Sequence, residues 1–311
     1  MAHQTPKQLI EDIEKSRKSP LITFYLKEGI ILDDGCILPL YEQLKAMGKV
    51  PRIDLFLYSL GGITEIPWKL VSMIREFAKR FAVIVPYRAH SAATHIVLGA
   101  DEIIMTPLSE ISPVDPKRAH PLLPKGPDGN PTPISVQELK DALKFLRDEA
   151  GEFWNEAAYS NLYSKLFDHI HPIAVGAIEQ SYHLSRLISR KMLEFHFDPL
   201  SEKQKIDRII EALAGEFRSH AFPISRHEAK EELGLPVIYA DDALWDKIEA
   251  LYQHYRDKTN DIIQDSDGNK NIEVGFIESG KQSFVLEQKI KTTEQAGQMR
   301  DQLVGMGWKK I

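Results

Sequence analysis

Two short stretches carry residues whose types and spacing could do chemistry. In Ser59-Leu60-Gly61-Gly62 a double glycine lets the chain turn tightly with no side chain in the way. Backbone N–H groups then point into open space, where an oxyanion could sit. Thirty residues on, Arg88-Ala89-His90-Ser91-Ala92-Ala93-Thr94 places a hydroxyl at the head of a predicted helix. Unpaired N–H groups and the helix dipole favour developing negative charge there, and a serine so placed suits nucleophilic catalysis. Each stretch also has a plain structural reading, as an ordinary turn and an N-cap. The two complement one another, because both turns lie at the carboxyl ends of predicted parallel strands, where such sheets build their sites.

The surrounding pattern supplies elements to position them. Leu21 to Leu26, Ile53 to Tyr58 and Ala82 to Tyr87 read as strands that are mostly apolar. Each is followed by a helical pattern: Ile37 to Met47, Ile66 to Phe81 and Ser91 to Gly99. Strands alternating with helices predict a parallel sheet covered on both faces, with sites at the carboxyl ends of the strands. Ile103 to Met105 reads as a further short strand. Residues 107–133 are rich in proline and read as a surface loop that could cover a site. Helices are expected at about 135–150, 152–169, 172–195 and 202–215, and helix dominates to Tyr255. After a polar break at 265–269, Glu273 to Ile277 and Ser283 to Leu286 read as strands and Thr293 to Met306 as a final helix.

Composition narrows the function classes. The chain has 311 residues, 43% of them hydrophobic, with 39 Lys and Arg against 45 Asp and Glu. The net charge of -6 gives no basic excess to suggest nucleic acid or an anionic membrane surface. A single cysteine, Cys36, excludes an intramolecular disulfide and a multi-cysteine zinc site, and suits a reducing compartment. The N-terminus lacks the basic-then-apolar order of a signal peptide, and no apolar run approaches a membrane span of ~18 residues. A cytoplasmic protein is expected, without metal or cofactor; His169 and His171, two apart, would project to different sides of a helix.

A resemblance sharpens this reading. The run Asp54 to Gly62, the step to Ala89-His90-Ser91-Ala92-Ala93-Thr94, and Leu98 to Met105 look like the Clp-type and signal-peptide-peptidase serine peptidases. Ser112-Pro113-Val114-Asp115-Pro116, His171 to Gly176, and Ser219 to Ile224 before Glu228-Ala229 and Leu233-Gly234-Leu235 resemble the serine dehydrogenase proteinase family. The similarity spans roughly residues 20 to 255 and omits the C-terminal part. It implies an α/β fold, a ClpP/crotonase-like spiral of ββα units with added C-terminal helices, to which the pattern after the polar break adds a small β-hairpin/helix appendage. Residues 1–255 would be the peptidase domain and 256–311 the appendage. It further implies Ser91 as nucleophile, an oxyanion hole from the N–H groups of Gly62 and Ala92 with Gly61 permitting the turn, a peptide or protein substrate, and a homo-oligomer.

The proton acceptor stays open between several residues. The position of the Clp-type histidine falls near Asp115 and Lys117, where no histidine stands. Signal-peptide-peptidase relatives use a lysine, for which Lys140 is the best-placed match. His220 is the first choice, with Asp115 as its orienting carboxylate. His90 and His95 flank the nucleophile and read as supporting or packing residues. Two other readings remain: a crotonase-like acyl-thioester enzyme, and a scaffold that keeps the fold without a working base.

Overall fold

The computed structural model describes residues 4–151, 155–217, 219–265, 268–295 and 298–311. The chain opens with α1 (Pro6–Arg17), capped by Thr5 and Gln8 in a capping box, and β1 (Leu21–Leu26). Two strand–helix repeats follow: α2 (Ile37–Met47), β2 (Val50–Tyr58), α3 (Ile66–Phe77) and β3 (Ala78–Val85). Next come β4 (Arg88–Ala89), α4 (Ala92–Leu98), β5 (Glu102–Met105) and β6 (Glu110–Ile111). Inside and after the proline-rich segment lie β7 (Lys117–Arg118), β8 (Ile134–Ser135), α5 (Val136–Ala150), α6 (Glu156–His169), α7 (Pro172–Leu193) and α8 (Lys203–Glu211). The C-terminal third adds β9 (Ile224–Ser225), β10 (Val237–Tyr239), α9 (Asp242–Lys258), β11 (Ile262–Gln264), β12 (Lys270–Glu278), β13 (Ser283–Gln295) and β14 (Gln298–Lys310).

The main sheet runs β10-β5-β3-β2-β1-β12-β13-β14, with β11 on β12. Strands β10, β5, β3, β2 and β1 are parallel, as their near-continuous apolar sequences predict. Their side chains alternate between two cores. Along β2, Leu55 and Leu57 join the core that holds α2, α3 and α4, while Phe56 and Tyr58 join the one under α1 and α9. A second sheet, β4-β6-β9, is joined to the end of β2 by a bridge from Ser59 to Ala89. The proline-rich segment is not wholly irregular: β6 and β7 lie in it, and Leu123 is buried in a third cluster with Val136, Ile178 and Tyr182.

The C-terminal part departs from the expected hairpin and helix. The helix predicted over 293–306 does not form in the described residues, which are strand from Ser283 to Gln295 and from Gln298 to Lys310. Thr293 and Val304 favour strand, Gly305 weakens a helix, and long-range pairing of β13 with β14 settles the outcome. β12 also pairs antiparallel with β1, from Thr23 opposite Glu278 to Leu26 opposite Gly275, so these residues extend the central sheet. Residues 152–154 of the predicted second long helix, and 266–267 of the polar break, lie outside the described residues.

Candidate active site

At the carboxyl ends of β2 and β4 the two sequence stretches meet. Ser59 and the β4 region exchange main-chain hydrogen bonds, Ser59 N–H to Arg88 O at 3.2 Å and His90 N–H to Ser59 O at 3.0 Å. Gly61 has φ +98°, and a β-carbon there would lie 2.8 Å from His90 O, 2.8 Å from Ser91 Cβ and 2.9 Å from Ala92 N. Only glycine accepts both that backbone angle and that approach. At Gly62 a β-carbon would lie 2.3 Å from Leu32 O, because the chain there pairs with Leu32.

Ser91 has φ 53° and ψ −119° and makes no capping hydrogen bond. An N-cap serine would hold the extended conformation and accept from the next turn, so this serine is not a cap. Among the described residues only Lys18 shares a positive φ without being glycine. Lys18, at ψ 42°, rests in the left-handed helical well, whereas Ser91 lies outside it. Such a conformation costs of order 1–3 kcal/mol and persists only where the surroundings enforce it. The enforcement is visible: Ser91 N–H donates to Ser112 Oγ at 2.7 Å, and Thr94 Oγ1 donates to Ala89 O at 2.8 Å. All seven residues of α4 are buried, so the helix cannot shift to relax the turn. Ser91 itself is half-buried, and among the described residues no partner is recorded for its hydroxyl or for the N–H groups of Gly62 and Ala92.

Three titratable groups of this region each carry one unpaired atom. His90 Nε2, Asp115 Oδ1 and His220 Nδ1 are buried with no hydrogen-bond partner. His90 Nε2 stands 3.2 Å from Glu110 Oε1, off the hydrogen-bonding direction. Burial, then the Arg88 charge and His220, push His90 down to about 4. Burial also lowers His220, against a hydrogen bond with the Asp115 backbone that raises it. Asp115 is pushed up to about 6 by burial; Ser135 and Lys117 oppose this, and Glu138 and Asp141 add to it. His220 therefore stays neutral at pH 7, the form a proton acceptor needs.

Of the residues singled out in the sequence, the structure packs Gly61, Ser91 and Ala92 together and sets the Asp115 main chain, not its expected orienting carboxylate, against His220, which lies close enough to act electrostatically on His90. Lys140 is exposed, its Nζ 4.5 Å over the ring of Tyr182 on α7. His95 is fully buried between Ser185 Oγ (3.3 Å) and Ser189 Oγ (3.2 Å), and burial pushes it down to about 3. Cys36 is buried and its thiol pushed up to about 12, so it is inert. Sequence reading passed over Ser59, Thr94 and Ser112, although all three lie in the quoted strings. For Ser59 and Thr94 the signal was a small hydroxyl beside the glycine turn and the serine turn; Ser112 is distant in sequence and carries no such local signal. Among the described residues no three His, Cys, Asp or Glu side chains are grouped to hold a metal, and no helix is long and apolar enough to cross a membrane.

No family model matches the chain. It is similar to an uncharacterized protein of Methanocaldococcus jannaschii, 26% identical over 230 residues, covering 63% of this chain and 78% of that one. A second uncharacterized protein of the same organism is 29% identical over 122 residues, or 35% of this chain and 42% of that protein, so the match spans less than half of its length. Among solved structures, a lysine-to-alanine mutant of a membrane-bound stomatin-specific protease, in complex with a substrate peptide, aligns with a TM-score of 0.37 and 14% identity, covering 71% of this chain and 74% of that one.

Proposed function

We propose that the chain is a serine peptidase of the ClpP/crotonase type that hydrolyses peptide bonds through an acyl-enzyme on Ser91. The conformation of Ser91 carries the reading: a serine held at φ 53° and ψ −119°, with its hydroxyl spent on no cap, is the geometry of a nucleophile presented from a strand-to-helix turn. A structural N-cap has no use for that strain. A crotonase-like enolate chemistry needs the paired amides but no serine, so it leaves the strain without a purpose. The second sheet, bridged to the end of β2, is consistent with the spiral of strand layers that the resemblance implies.

In this mechanism Ser91 Oγ attacks the substrate carbonyl carbon as its proton passes to neutral His220. The N–H groups of Gly62 and Ala92 hold the oxyanion, each donor being worth about 2.7–4 kcal/mol in such sites. His220 then protonates the leaving amine, and water, deprotonated by the same imidazole, releases the acyl group and restores Ser91. Asp115, whose main chain hydrogen-bonds with His220, orients it. Lys140 is the alternative acceptor and would have to leave the Tyr182 ring to act. The peptide substrate rests on the sequence resemblance. Turnover of a fluorogenic peptide library tests the reading. Wild-type protein should cleave members of it and Ser91→Ala none; equal cleavage by both would reject it.

A further inference from the structure

We infer that Ser59 and Ser112 are positioning residues whose hydroxyls preset the two oxyanion donors. The inference rests on the hydrolase reading and concerns how its hole is built. Each proposed donor follows an amide that is already held. Gly61 N–H donates to Ser59 Oγ at 3.1 Å, and Gly62 N–H comes next; Ser91 N–H donates to Ser112 Oγ at 2.7 Å, and Ala92 N–H comes next. Holding one amide restricts the rotation of the following peptide, so each hydroxyl sets the direction of its neighbour's N–H. It also withdraws the held amide from solvent and substrate, which leaves one donor per turn.

Both hydroxyls are themselves fixed. Ser59 and Ser112 have no exposed surface. Ser112 Oγ donates onward to Pro113 O at 3.0 Å. Its main chain is clamped by Thr94, whose Oγ1 lies 3.0 Å from Ser112 O and accepts from Ser112 N–H at 3.2 Å. One residue beyond Pro113, Val114 O accepts from Ser185 Oγ at 2.6 Å, and Ser185 in turn meets His95. On the other side the Ser59 main chain is tied to Arg88 and His90. Two turns that could hinge independently are thereby joined, with an acceptor hydroxyl in each. Fixed donors aimed where charge develops need no reorganisation during reaction, which is where such sites gain rate. Neither serine titrates and neither hydroxyl hydrogen-bonds to His220, so the pins act on rate and leave the pH profile alone.

The test uses Ser59→Ala, Ser112→Ala and Ser112→Cys, the last keeping the shape of the side chain, slightly larger, and a weak acceptor. Active sites in each preparation are counted with a fluorophosphonate probe, and p-nitrophenyl acetate hydrolysis is measured per titrated site. That correction removes any loss caused by a smaller folded fraction. The expected result is kcat per site lower by about tenfold or more for each alanine, with Ser112→Cys between Ser112→Ala and wild type, KM within about twofold, and an unshifted pH profile. Should Ser112→Ala fold too poorly to titrate, Ser59→Ala and Ser112→Cys carry the same comparison. Wild type that labels while the variants keep wild-type kcat per site overturns the pins and leaves the hydrolase reading standing. A wild-type chain that takes no label overturns the hydrolase reading itself.

Discussion

Replacing Gly61 by alanine probes how tightly the turn and Ser91 are locked together. The new β-carbon would sit 2.8 Å from His90 O, 2.8 Å from Ser91 Cβ and 2.9 Å from Ala92 N. Two of these are main-chain atoms and the third is a β-carbon, so no flexible side chain can swing away. The φ of +98° adds strain of about 1–3 kcal/mol for a residue with a side chain. Overpacking adds about 1–3 kcal/mol more, for a total of about 2–6 kcal/mol. Gly48 isolates the first contribution: its φ is +75° but nothing lies within 4 Å of an added β-carbon, so Gly48→Ala should cost only the backbone strain. Urea denaturation of both variants measures the difference, and fluorophosphonate labelling rates read the site. Gly61→Ala should be the less stable by about 1–3 kcal/mol. It should also label at least about a hundredfold more slowly, because relief of the clash moves Ser91 and Ala92 away from the turn. Equal stability of the two alanine variants, with Gly61→Ala labelling at the wild-type rate, would refute the reasoning.

Other outcomes follow from the titratable groups. Burial holds His220 below its ordinary value of 6.5, so its neutral, proton-accepting form predominates at pH 7. The labelling rate should rise from acid pH to a plateau by about pH 7, and His220→Gln should lose it; a rise centred well above pH 8 would point to a lysine acceptor instead. His95 is held at about 3, against 6.5 when unfolded, by full burial. A depressed folded value means its contribution is present above pH 6.5 and is lost as pH falls toward 3. Between pH 6.5 and pH 4 that amounts to roughly 3 kcal/mol. Wild-type stability in urea should therefore fall more steeply over that range than that of His95→Gln, and parallel pH dependences would contradict the buried neutral imidazole.

Much of the parallel half of the fold was legible because its signals are local. Leu21 to Leu26 and Ile53 to Tyr58 are apolar on both faces, which marks strands covered on both sides, and the helices after them carry a regular apolar stripe. The C-terminal strands were misread because their fate is decided by pairing across the molecule. Helical spacing can be found in Thr293 to Met306, yet β13 offers that stretch a partner strand, and β12 reaches back more than 200 residues to β1. At the site, residue types named Gly61, Gly62 and Ser91, but nothing in the sequence reports a backbone angle. The strain at Ser91 appears only once Ser112 and the buried α4 are in place. The choice between His220 and Lys140 depends on burial and unpaired atoms, which are properties of the folded chain.

The central claim is that Ser91 is an activated nucleophile, and covalent labelling tests it most directly. Wild-type protein incubated with a fluorophosphonate at pH 7.5 and analysed by intact-mass and peptide mass spectrometry should carry a single adduct on Ser91. Ser91→Ala should carry none, and His220→Gln should label far more slowly. A folded wild-type chain that stays unmodified, or an adduct that maps to another serine and persists in Ser91→Ala, would contradict the account.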